Sequence, residues 1–310
     1  MKIASIQLNA EFANVASNLK QCEDYISQVA LAGAELVVLP EFFSSAMGFS
    51  DQMLDVARQN KNVANWLKQL AAKYKIIIGG SYISFDGDNA FNIFQLTFPS
   101  GENYVHKKDI PTQFENCYYT EGDSVNVLVT PIGNFGVALC WEMLRYDTIK
   151  RIAGKVDLVL SGSCWWDLPI DAPIEREPLR QYNQNLACEA PVTFAELSGV
   201  PVVHANHCGI VAGFNFPDAD KLQTRKFVGA AQIVDGNGQV LAKRNFFEGG
   251  GFVMAEILWK NSSRNAERIF PDKYWIPDLP DSYIHAWDTI NPKGKQYYKE
   301  VALPYYKNCR

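Results

Sequence analysis

The 310-residue sequence contains no concentrated run of lysine or arginine, and its formal net charge is −5. Because nucleic-acid-binding surfaces are usually basic patches, this composition argues against a nucleic-acid partner. No apolar stretch approaches the roughly 18 residues that indicate a membrane-spanning helix. The N-terminus begins in the strand-like alternation of residues 2–8 and lacks the apolar region of a signal peptide. We therefore expect a cytoplasmic protein with no membrane partner.

The cysteines and histidines show none of the spacings that are typical of metal sites or disulfide frameworks. The seven cysteines are scattered and include no C-x-x-C pair: Cys22, Cys117, Cys140, Cys164, Cys188, Cys208 and Cys309. The four histidines form no H-E-x-x-H motif. A disulfide framework and a structural zinc site are both disfavoured. We expect neither a metal nor another cofactor.

The remaining composition is that of an ordinary globular chain, 47% hydrophobic and 20% charged. Between residues 2 and 78, apolar strand-like runs alternate with segments of helical spacing, which predicts a layered sheet with helices packed outside it. The absence of a Gly/Ser-rich linker favours one domain, residues 1–262. From Ser263 the sequence is rich in Pro, Tyr and Trp and has little periodicity. We expect this extension, residues 263–310, to pack on the domain or on a neighbouring subunit; a surface extension without function is the alternative.

Three chemically reactive groups follow predicted strands. Cys140 directly follows an apolar run, Glu41 follows another apolar run and a proline, and Lys107 and Lys108 close a third strand. Each has a plain structural explanation, since free cysteines are often buried and single charges usually lie in exposed loops. A side chain at the end of a strand, however, lies at the edge of a sheet, where a substrate can reach it.

Together these groups supply what a cysteine nucleophile requires. Attack on a carbonyl or nitrile carbon needs a base for the thiol proton, a cation or N–H dipoles for the developing charge, and an acid for the leaving nitrogen. Phe42 and Phe43 would exclude water from Glu41 and raise its pKa towards neutrality. A lysine near the cysteine would favour the thiolate and stabilise an oxyanion. No histidine occupies a comparable strand end, which argues against a papain-like arrangement.

These three segments, in this order and spacing, resemble the nitrilase superfamily of carbon–nitrogen hydrolases. They read Leu39-Pro-Glu-Phe-Phe43, His106-Lys-Lys-Asp-Ile-Pro-Thr-Gln-Phe-Glu115 and Val137-Ala-Leu-Cys-Trp-Glu142. The similarity covers about residues 2–258. It implies an α/β fold of the four-layer α-β-β-α sandwich type, with a carbon–nitrogen hydrolase domain over residues 1–262. It also implies a homodimer or a higher homo-oligomer.

The resemblance further implies a Glu-Lys-Cys triad. By analogy, Glu41 is the general base, Cys140 is the nucleophile and Lys108 stabilises the tetrahedral intermediate. The amide N–H of Trp141 would complete the oxyanion hole. Glu115 matches a second glutamate of the family that positions groups or relays protons.

The choice between Lys107 and Lys108 depends on the register of this segment. Many amidase branches place one more residue between the lysine and the following proline, which would select Lys107. Because neighbouring side chains on a strand point to opposite faces, only one of the two can meet Cys140. We favour Lys108, since Pro111 and Glu115 then fall in register.

The expected activity is thiol-dependent hydrolysis of non-peptide C–N bonds, with a linear amide or N-carbamoyl substrate ahead of a nitrile. Trp165 and Trp166, with Trp141, would wall an apolar or aromatic substrate, and Asp167 would bind an amine on it. An equally supported alternative is that the tryptophans belong to the core and that Asp167 caps a helix. A non-catalytic member that binds a metabolite or a partner protein would be marked by loss of a triad residue, and none is lost.

Overall fold

The structure is a computed structural model that describes residues 1–123, 125–214, 221–258 and 269–308. The α-helices of these ranges are α1 (Val15–Leu31), α2 (Gln52–Gln59), α3 (Val63–Tyr74), α4 (Tyr146–Ile152), α5 (Glu177–Ser198), α6 (Asp281–Tyr297) and α7 (Leu303–Asn308). The strands are β1 (Lys2–Leu8), β2 (Leu36–Val38), β3 (Ile77–Asp86), β4 (Asn89–Thr97), β5 (Asn103–Lys107), β6 (Val127–Thr130), β7 (Gly133–Val137), β8 (Leu158–Ser163), β9 (Trp166–Pro169), β10 (Val202–His207), β11 (Ile210–Phe214), β12 (Leu222–Phe227), β13 (Gln232–Val234), β14 (Val240–Lys243) and β15 (Gly251–Glu256). Among the helices described, none is both long and apolar enough to cross a bilayer. The predicted domain boundary at residues 262 and 263, and Cys309, lie outside the described residues.

A large mixed sheet organises the chain. Its strands are hydrogen-bonded in the order β5-β4-β3-β2-β1-β10-β8-β7-β6, while β13 also pairs with β10 and β15 with β1. Strands β3, β2, β1, β10, β8 and β7 run parallel. The residues that follow β2 and β7 therefore emerge at the same edge of the sheet, and Glu41 and Cys140 belong to these two connections. Strands β11, β12 and β9 form a separate small sheet.

Side-chain alternation along the strands separates an inner core from two outer ones. On β1, Ile3 belongs to a cluster built from strand residues, whereas Ala4 packs in the cluster that contains α1 and α3. On β8, Leu158 belongs to the same inner cluster, whereas Val159 packs with α4 and α5. Because successive side chains of a strand point to opposite faces, each of these strands is covered on both sides, which explains its continuous apolar sequence. These layers form the predicted α-β-β-α sandwich, and the predicted fold class is confirmed.

The C-terminal extension is more regular than its sequence suggests. The sequence after Ser263 shows little periodicity, but residues 281–308 form α6, a π-helical turn at Tyr298–Ala302 and α7. Pro292 lies inside α6. A proline normally interrupts a helix, so the helical spacing of the neighbouring aromatic residues gave a weak signal. The weak periodicity of the sequence therefore did not reveal these helices.

Candidate active site

Glu41 lies just after the end of β2, and its side chain is fully buried. Its Oε1 accepts hydrogen bonds from Lys108 Nζ at 2.8 Å and Asn92 Nδ2 at 2.9 Å, and its Oε2 accepts one from the backbone N–H of Cys164 at 3.1 Å. The backbone of Glu41 lies close to β8 because residue 162 is a glycine: a Cβ at Gly162 would lie 2.6 Å from the Glu41 nitrogen. Burial raises the pKa of Glu41 to about 7, although the charge of Lys108 acts to lower it. Glu41 is thus a carboxyl group suited to exchange a proton near neutral pH.

The two candidate lysines have different surroundings. Lys107 ends β5, and its Nζ lies 2.7 Å from the exposed carboxylate of Asp86. Lys108 is fully buried, with its Nζ 2.8 Å from Glu41 Oε1 and 2.7 Å from Glu115 Oε2. Burial acts to lower the pKa of Lys108, but the charges of Glu115 and Glu41 outweigh burial and raise it well above its usual value. Of the two lysines, Lys108 is the one that meets Glu41, and it does so as a cation.

Glu115 lies in the 3₁₀ turn Gln113–Cys117. Its Oε2 accepts hydrogen bonds from Lys108 Nζ, from the backbone N–H of Thr112 at 3.0 Å and from the hydroxyl of Tyr119. Three donors on one oxygen fix this carboxylate beside the ammonium group. The predicted residues Glu41, Lys108 and Glu115 therefore form one continuous buried cluster.

Cys140 opens the 3₁₀ turn Cys140–Leu144, shortly after β7. Its φ of 50° is a left-handed value that non-glycine residues seldom adopt and that often marks a functional position. The side chain is buried but lines a cavity together with Glu115. Burial and the charge of Glu41 raise the pKa of Cys140 well above its usual value, against the opposing charge of Lys108. The resting sulfur is thus a thiol, which must lose its proton to a base before it can act as a nucleophile.

A histidine that sequence reasoning dismissed also reaches this cluster. His207 ends β10, is fully buried, and has its Nε2 2.7 Å from the carbonyl oxygen of Glu41. Burial lowers the pKa of His207 to about 4, so the ring is neutral and donates this hydrogen bond. The expectation that no histidine occupies a comparable strand end was therefore wrong. Since its Nε2 binds the backbone of Glu41, His207 anchors that residue.

A third buried carboxylate, Glu142, braces the turn that begins at Cys140. Its Oε2 accepts a hydrogen bond from the backbone N–H of Leu139 at 2.7 Å, and its Oε1 accepts one from the N–H of Asp109 at 3.0 Å. His106 Nε2 lies 3.1 Å from both oxygens. Burial acts to lower the pKa of His106, but the charge of Glu142 outweighs burial and raises it. Glu142 thus connects the residue before Cys140 to the residue after Lys108. In the sequence, this role is indicated only by a charged residue within an apolar stretch.

A cavity of about 430 Å³ opens beside Cys140, a volume typical of small-molecule sites. The four predicted pocket residues all line it: Trp141, Trp165, Trp166 and Asp167. Trp166 packs on Phe114, with the ring centroids 4.6 Å apart. Within the described ranges, no group of three or more His, Cys, Asp and Glu side chains is arranged to hold a metal ion.

The carboxylate of Asp167 is already engaged within the chain. It accepts hydrogen bonds from Gln184 Nε2 at 2.8 Å, from Arg180 Nη1 at 3.3 Å and from the backbone N–H of Leu168 at 2.7 Å. An amine on the substrate would have to displace these donors, so the geometry does not favour Asp167 as an amine-binding residue. The alternative, a helix cap, is also wrong, because Asp167 lies within β9.

Helix α6 supplies one wall of the cavity. Its lining residues lie on successive turns of the helix: Ser282, Tyr283, Ala286 and Ile290. The rings of Tyr283 and Trp287 run nearly parallel to the ring of Trp141, with centroids 6.0 and 5.7 Å away. The extension therefore contacts Trp141, the residue that follows Cys140 in the same chain. This contact was not predicted from the sequence.

At the level of sequence, residues 2–259 match the family described as carbon–nitrogen hydrolase. An omega-amidase of Danio rerio is 28% identical over 168 residues, which cover 50% of this chain and 59% of the relative. A citrullinase of Francisella tularensis is 28% identical over 166 residues, or 50% and 58% of the two chains. Nitrilase 2 of Arabidopsis thaliana is 28% identical over 159 residues, or 44% and 47%. The chain thus spans about half the length of the curated relatives it matches.

Two solved structures have the same fold. The carbon–nitrogen hydrolase of Helicobacter pylori G27 superposes with a TM-score of 0.71 at 17% identity, covering 82% of this chain and 88% of that one. An amidase of Nesterenkonia sp. gives a TM-score of 0.65 at 20% identity, with coverage of 86% and 93%. At such low identity these likenesses bear on the fold alone, and they agree with the four-layer sandwich.

Proposed function

The chain belongs to the carbon–nitrogen hydrolase family, and we propose that it hydrolyses a non-peptide C–N bond of a linear amide or N-carbamoyl compound through an acyl-enzyme on Cys140. The observation that carries this proposal is the position of the Lys108 ammonium group between the carboxylates of Glu41 and Glu115, beside a cavity that Cys140 lines. Together, the cluster and Cys140 supply a base, a cation and a nucleophile, which are the groups that covalent acyl transfer requires.

The first half-reaction forms a thioester and releases the amine. Glu41 takes the thiol proton while the sulfur attacks the carbonyl carbon, and the carbonyl π-electrons move to the oxygen. Lys108 Nζ and the backbone N–H of Trp141 stabilise this oxyanion. When the tetrahedral adduct collapses, the C–N bond breaks and Glu41 returns its proton to the leaving nitrogen. Glu115 keeps Lys108 charged and in place throughout.

The second half-reaction returns the enzyme to its starting state. Glu41 takes a proton from a water molecule as the oxygen attacks the thioester carbon. The second adduct collapses with cleavage of the C–S bond, and the sulfur recovers the proton from Glu41. Burial supports this cycle because it raises the pKa of Glu41 to about 7, where both protonation states are accessible near neutral pH.

Nitrile hydrolysis is the second candidate, and the similarity to nitrilase 2 of Arabidopsis thaliana favours it. The first adduct on Cys140 would then be a thioimidate, and two water molecules would convert the nitrile to acid plus ammonia. A non-catalytic binding protein is a third reading of another class. The retention of Glu41, Lys108 and Cys140, with Glu41 bonded to Lys108 and the charges of both acting on Cys140, argues against it.

The experiment that tests these readings is a screen for ammonia release over linear amides, N-carbamoyl compounds and nitriles. Cys140→Ala serves as the blank, and Cys188→Ala is the matched control, since Cys188 lies on α5 outside the cluster. Release from amides or carbamoyl compounds that is lost only in Cys140→Ala supports the proposal. Release from nitriles alone would select the nitrilase reading. Turnover that survives in Cys140→Ala would contradict covalent catalysis.

We also propose that the protein is a homo-oligomer, at least a dimer, as the family resemblance implies. The extension does not need a neighbouring subunit to be packed, because α6 contacts the cavity of its own chain. Gel filtration coupled to light scattering tests the assembly, and elution at the mass of a single 310-residue chain would overturn it.

A further inference from the structure

Strand β8 presents two serines on the face that packs towards Cys140. Val159 of β8 belongs to the core cluster that also contains Cys140 and Met143. Because successive side chains of a strand alternate between its faces, Ser161 and Ser163 lie on the same face as Val159. Both serine side chains are fully buried. Two hydroxyl groups are therefore directed into the layer that holds the sulfur.

The pairing of β7 with β8 sets the level of each serine. The N–H of Ala138 donates to the carbonyl oxygen of Leu160 at 3.2 Å, which extends the parallel ladder that precedes it. The Oγ of Ser161 donates to the carbonyl oxygen of Ala138 at 2.6 Å. The same register, continued along both segments, places Ser163 level with Cys140. Ser161 thus lies beside Ala138, and Ser163 lies beside Cys140.

The two hydroxyl groups differ in what they bind. Ser161 has the carbonyl oxygen of Ala138 as its acceptor. Within the part of the chain that the structure describes, the Oγ of Ser163 has no hydrogen-bond partner in the resting state. A buried hydroxyl group without a partner is unfavourable, because its hydration is lost and no other hydrogen bond replaces it. The structure thus holds a donor beside the sulfur that the thiol form leaves unused.

A hydroxyl group in this position distinguishes the two protonation states of the sulfur. A thiol is a weak acceptor, whereas a thiolate accepts a charge-assisted hydrogen bond. Burial, followed by the charge of Glu41, raises the pKa of Cys140, while the charge of Lys108 and the hydroxyl of Ser163 act to lower it. An interaction that forms only when the sulfur is charged lowers the barrier to its ionisation.

We propose that Ser163 is a further catalytic residue, whose hydroxyl donates a hydrogen bond to the Cys140 sulfur when Glu41 takes the thiol proton. This inference rests on the proposed function, since it concerns the same nucleophile. The sulfur also leaves as a thiolate when the second adduct collapses, and Ser163 donates to it again until the proton returns from Glu41. The hydroxyl keeps its own proton throughout, so the proton exchange belongs to Glu41.

Ser163→Ala removes this donor and tests its effect on the sulfur. Alkylation of Cys140 by iodoacetamide near neutral pH should become about tenfold slower, because a hydrogen bond to a charged group is lost. Its pH profile should move upwards by about one unit, and kcat/KM should fall by a similar factor. Peptide mass spectrometry measures this rate, with Cys188 of α5 as the internal reference. Ser163→Thr, which keeps a hydroxyl group, should recover most of the rate.

Stability separates this role from a structural one. Because the hydroxyl of Ser163 has no partner among the described residues in the resting state, Ser163→Ala should melt at the wild-type temperature or above it. Ser161→Ala is the matched control, since it removes from the same face a hydroxyl that donates to Ala138. It should melt at a lower temperature, and Cys140 of its folded form should be alkylated at nearly the wild-type rate.

Two results would overturn the inference. One is unchanged alkylation of Cys140 in Ser163→Ala, and the other is a fall in melting temperature that accounts for its whole loss of activity. Alkylation does not require turnover, so it separates this inference from the proposed function. If the wild type released no ammonia from any probe, slower alkylation in Ser163→Ala would uphold the hydrogen bond and reject the hydrolase.

Independently of Ser163, helix α6 holds the turn that carries Glu115. The Oδ1 of Asn291 accepts a hydrogen bond from the backbone N–H of Gln113 at 2.7 Å and one from Asn116 Nδ2 at 3.3 Å. The first N–H groups of a helical turn have no partner within it, so Asn291 caps this turn from outside. Gln113 has a left-handed φ of 53°, a conformation that persists only when its surroundings enforce it.

We infer that Asn291 is a positioning residue, which holds the Glu115 turn and through it the Lys108 ammonium group. Glu115 Oε2 lies 2.7 Å from Lys108 Nζ, so a displaced turn separates the carboxylate from the cation. Asn291 lies beyond residues 2–259, the part of the chain that matches the family. The extension thus contributes to the geometry of the reacting groups as well as to the cavity wall.

Asn291→Leu and Asn291→Asp test this role, because leucine removes the acceptor oxygen and aspartate keeps it. Asn291→Leu should lower kcat about tenfold with little change in KM, since small displacements of catalytic groups are costly. Burial raises the pKa of Glu41 and the charge of Glu115 adds to this effect, so displacement of Glu115 should also shift the acidic limb of kcat/KM to lower pH. Asn291→Asp should recover most of kcat. Lys293→Leu, at an exposed position of the same helix, is the control.

The outcome for Asn291 is decided by the split between parameters. A fall in melting temperature with unchanged kcat and pH profile in Asn291→Leu would reduce Asn291 to a structural residue. Equal kcat in the leucine and aspartate variants would also overturn the inference.

Discussion

The Nζ atom of Lys108 lies 2.8 Å from Oε1 of Glu41, and both side chains are completely buried. Two opposite charges in such a position stabilise each other, but each has lost its hydration, so neither is tolerated there alone. The second carboxylate, Glu115, leaves the cluster with more negative than positive charge when all three groups are ionised. Burial raises the pKa of Glu41 to about 7, and the charge of Glu115 adds to this effect, while the charge of Lys108 opposes it.

Substitution of the two neighbouring lysines should have opposite outcomes. Lys108→Ala should abolish turnover and destabilise the fold by about 3–5 kcal/mol, because it leaves two buried carboxylates without their cation. Lys107→Ala should retain most of the activity and lose at most about 1 kcal/mol, since its partner Asp86 is exposed. Ammonia release and chemical denaturation measure the two effects. The reverse pattern would transfer the catalytic assignment to Lys107.

The pH dependence of kcat/KM should report the proton on Glu41. Because the base form is required and its pKa is raised to about 7, kcat/KM should fall about tenfold per pH unit below that value. Rates measured from about pH 5 to about pH 8, with a substrate that does not titrate in this range, define the acidic side of the kcat/KM profile. A flat profile across this range would show that another group is the base.

The same proton should affect stability with a definite sign. A carboxyl group whose pKa is raised in the folded state stabilises the fold at low pH, and this contribution is lost as the pH rises through the folded pKa of about 7. The glutamine side chain of Glu41→Gln is neutral at every pH, so this variant does not lose stability as the pH rises through that range. The melting temperature of Glu41→Gln should therefore rise relative to the wild type as the pH increases towards 8. Glu102→Gln, at an exposed position, should show no such trend.

The residues that we propose to react were accessible to sequence reasoning because they interrupt apolar patterns. Glu41 and Cys140 are each the first polar or reactive group after a buried strand, and parallel strands bring such positions to one edge. The choice of Lys108 over Lys107 needed the resemblance, since local pattern treats the two lysines alike. In the folded chain, Lys108 makes a buried contact with Glu41, whereas Lys107 makes a surface contact with Asp86.

The supporting residues were not accessible, because their partners are distant in the chain. Glu142 binds groups at Asp109 and His106, and Asn291 binds a turn that is 178 residues away in sequence. No local periodicity reports contacts of this kind. Helix α6 was obscured further by Pro292, whose unfavourable effect is outweighed by the packing of Trp287 and its aromatic neighbours.

Loss of the Glu142 charge should loosen the turn of Cys140. Glu142→Gln weakens the hydrogen bonds from two backbone N–H groups and from His106, and we expect a stability loss of about 1.5–3 kcal/mol with a reduced kcat. The matched control is Glu23→Gln, because Glu23 binds Lys73 at the surface and such pairs contribute at most about 1 kcal/mol. Urea denaturation and steady-state kinetics on both variants provide the measurement. Equal small losses in the two variants would contradict the bracing role.

Gly162 should be the strand glycine that activity tolerates least. In Gly162→Ala the new Cβ would lie 2.6 Å from the backbone nitrogen of Glu41 and 3.0 Å from the carbonyl carbon of Pro40, so backbone must move. A displacement of the base by even part of an ångström should lower kcat, and misplacement by about 1 Å reduces rates by about a hundredfold. Gly136→Ala on β7 is the control, because its Cβ would meet only the side chains of Val159 and Ile152, at 3.1 and 3.2 Å, which can shift. Both variants should lose stability, but only Gly162→Ala should lose kcat out of proportion to its folded fraction. Comparable kcat in the two variants would mean that Glu41 does not depend on the close contact between its backbone and Gly162.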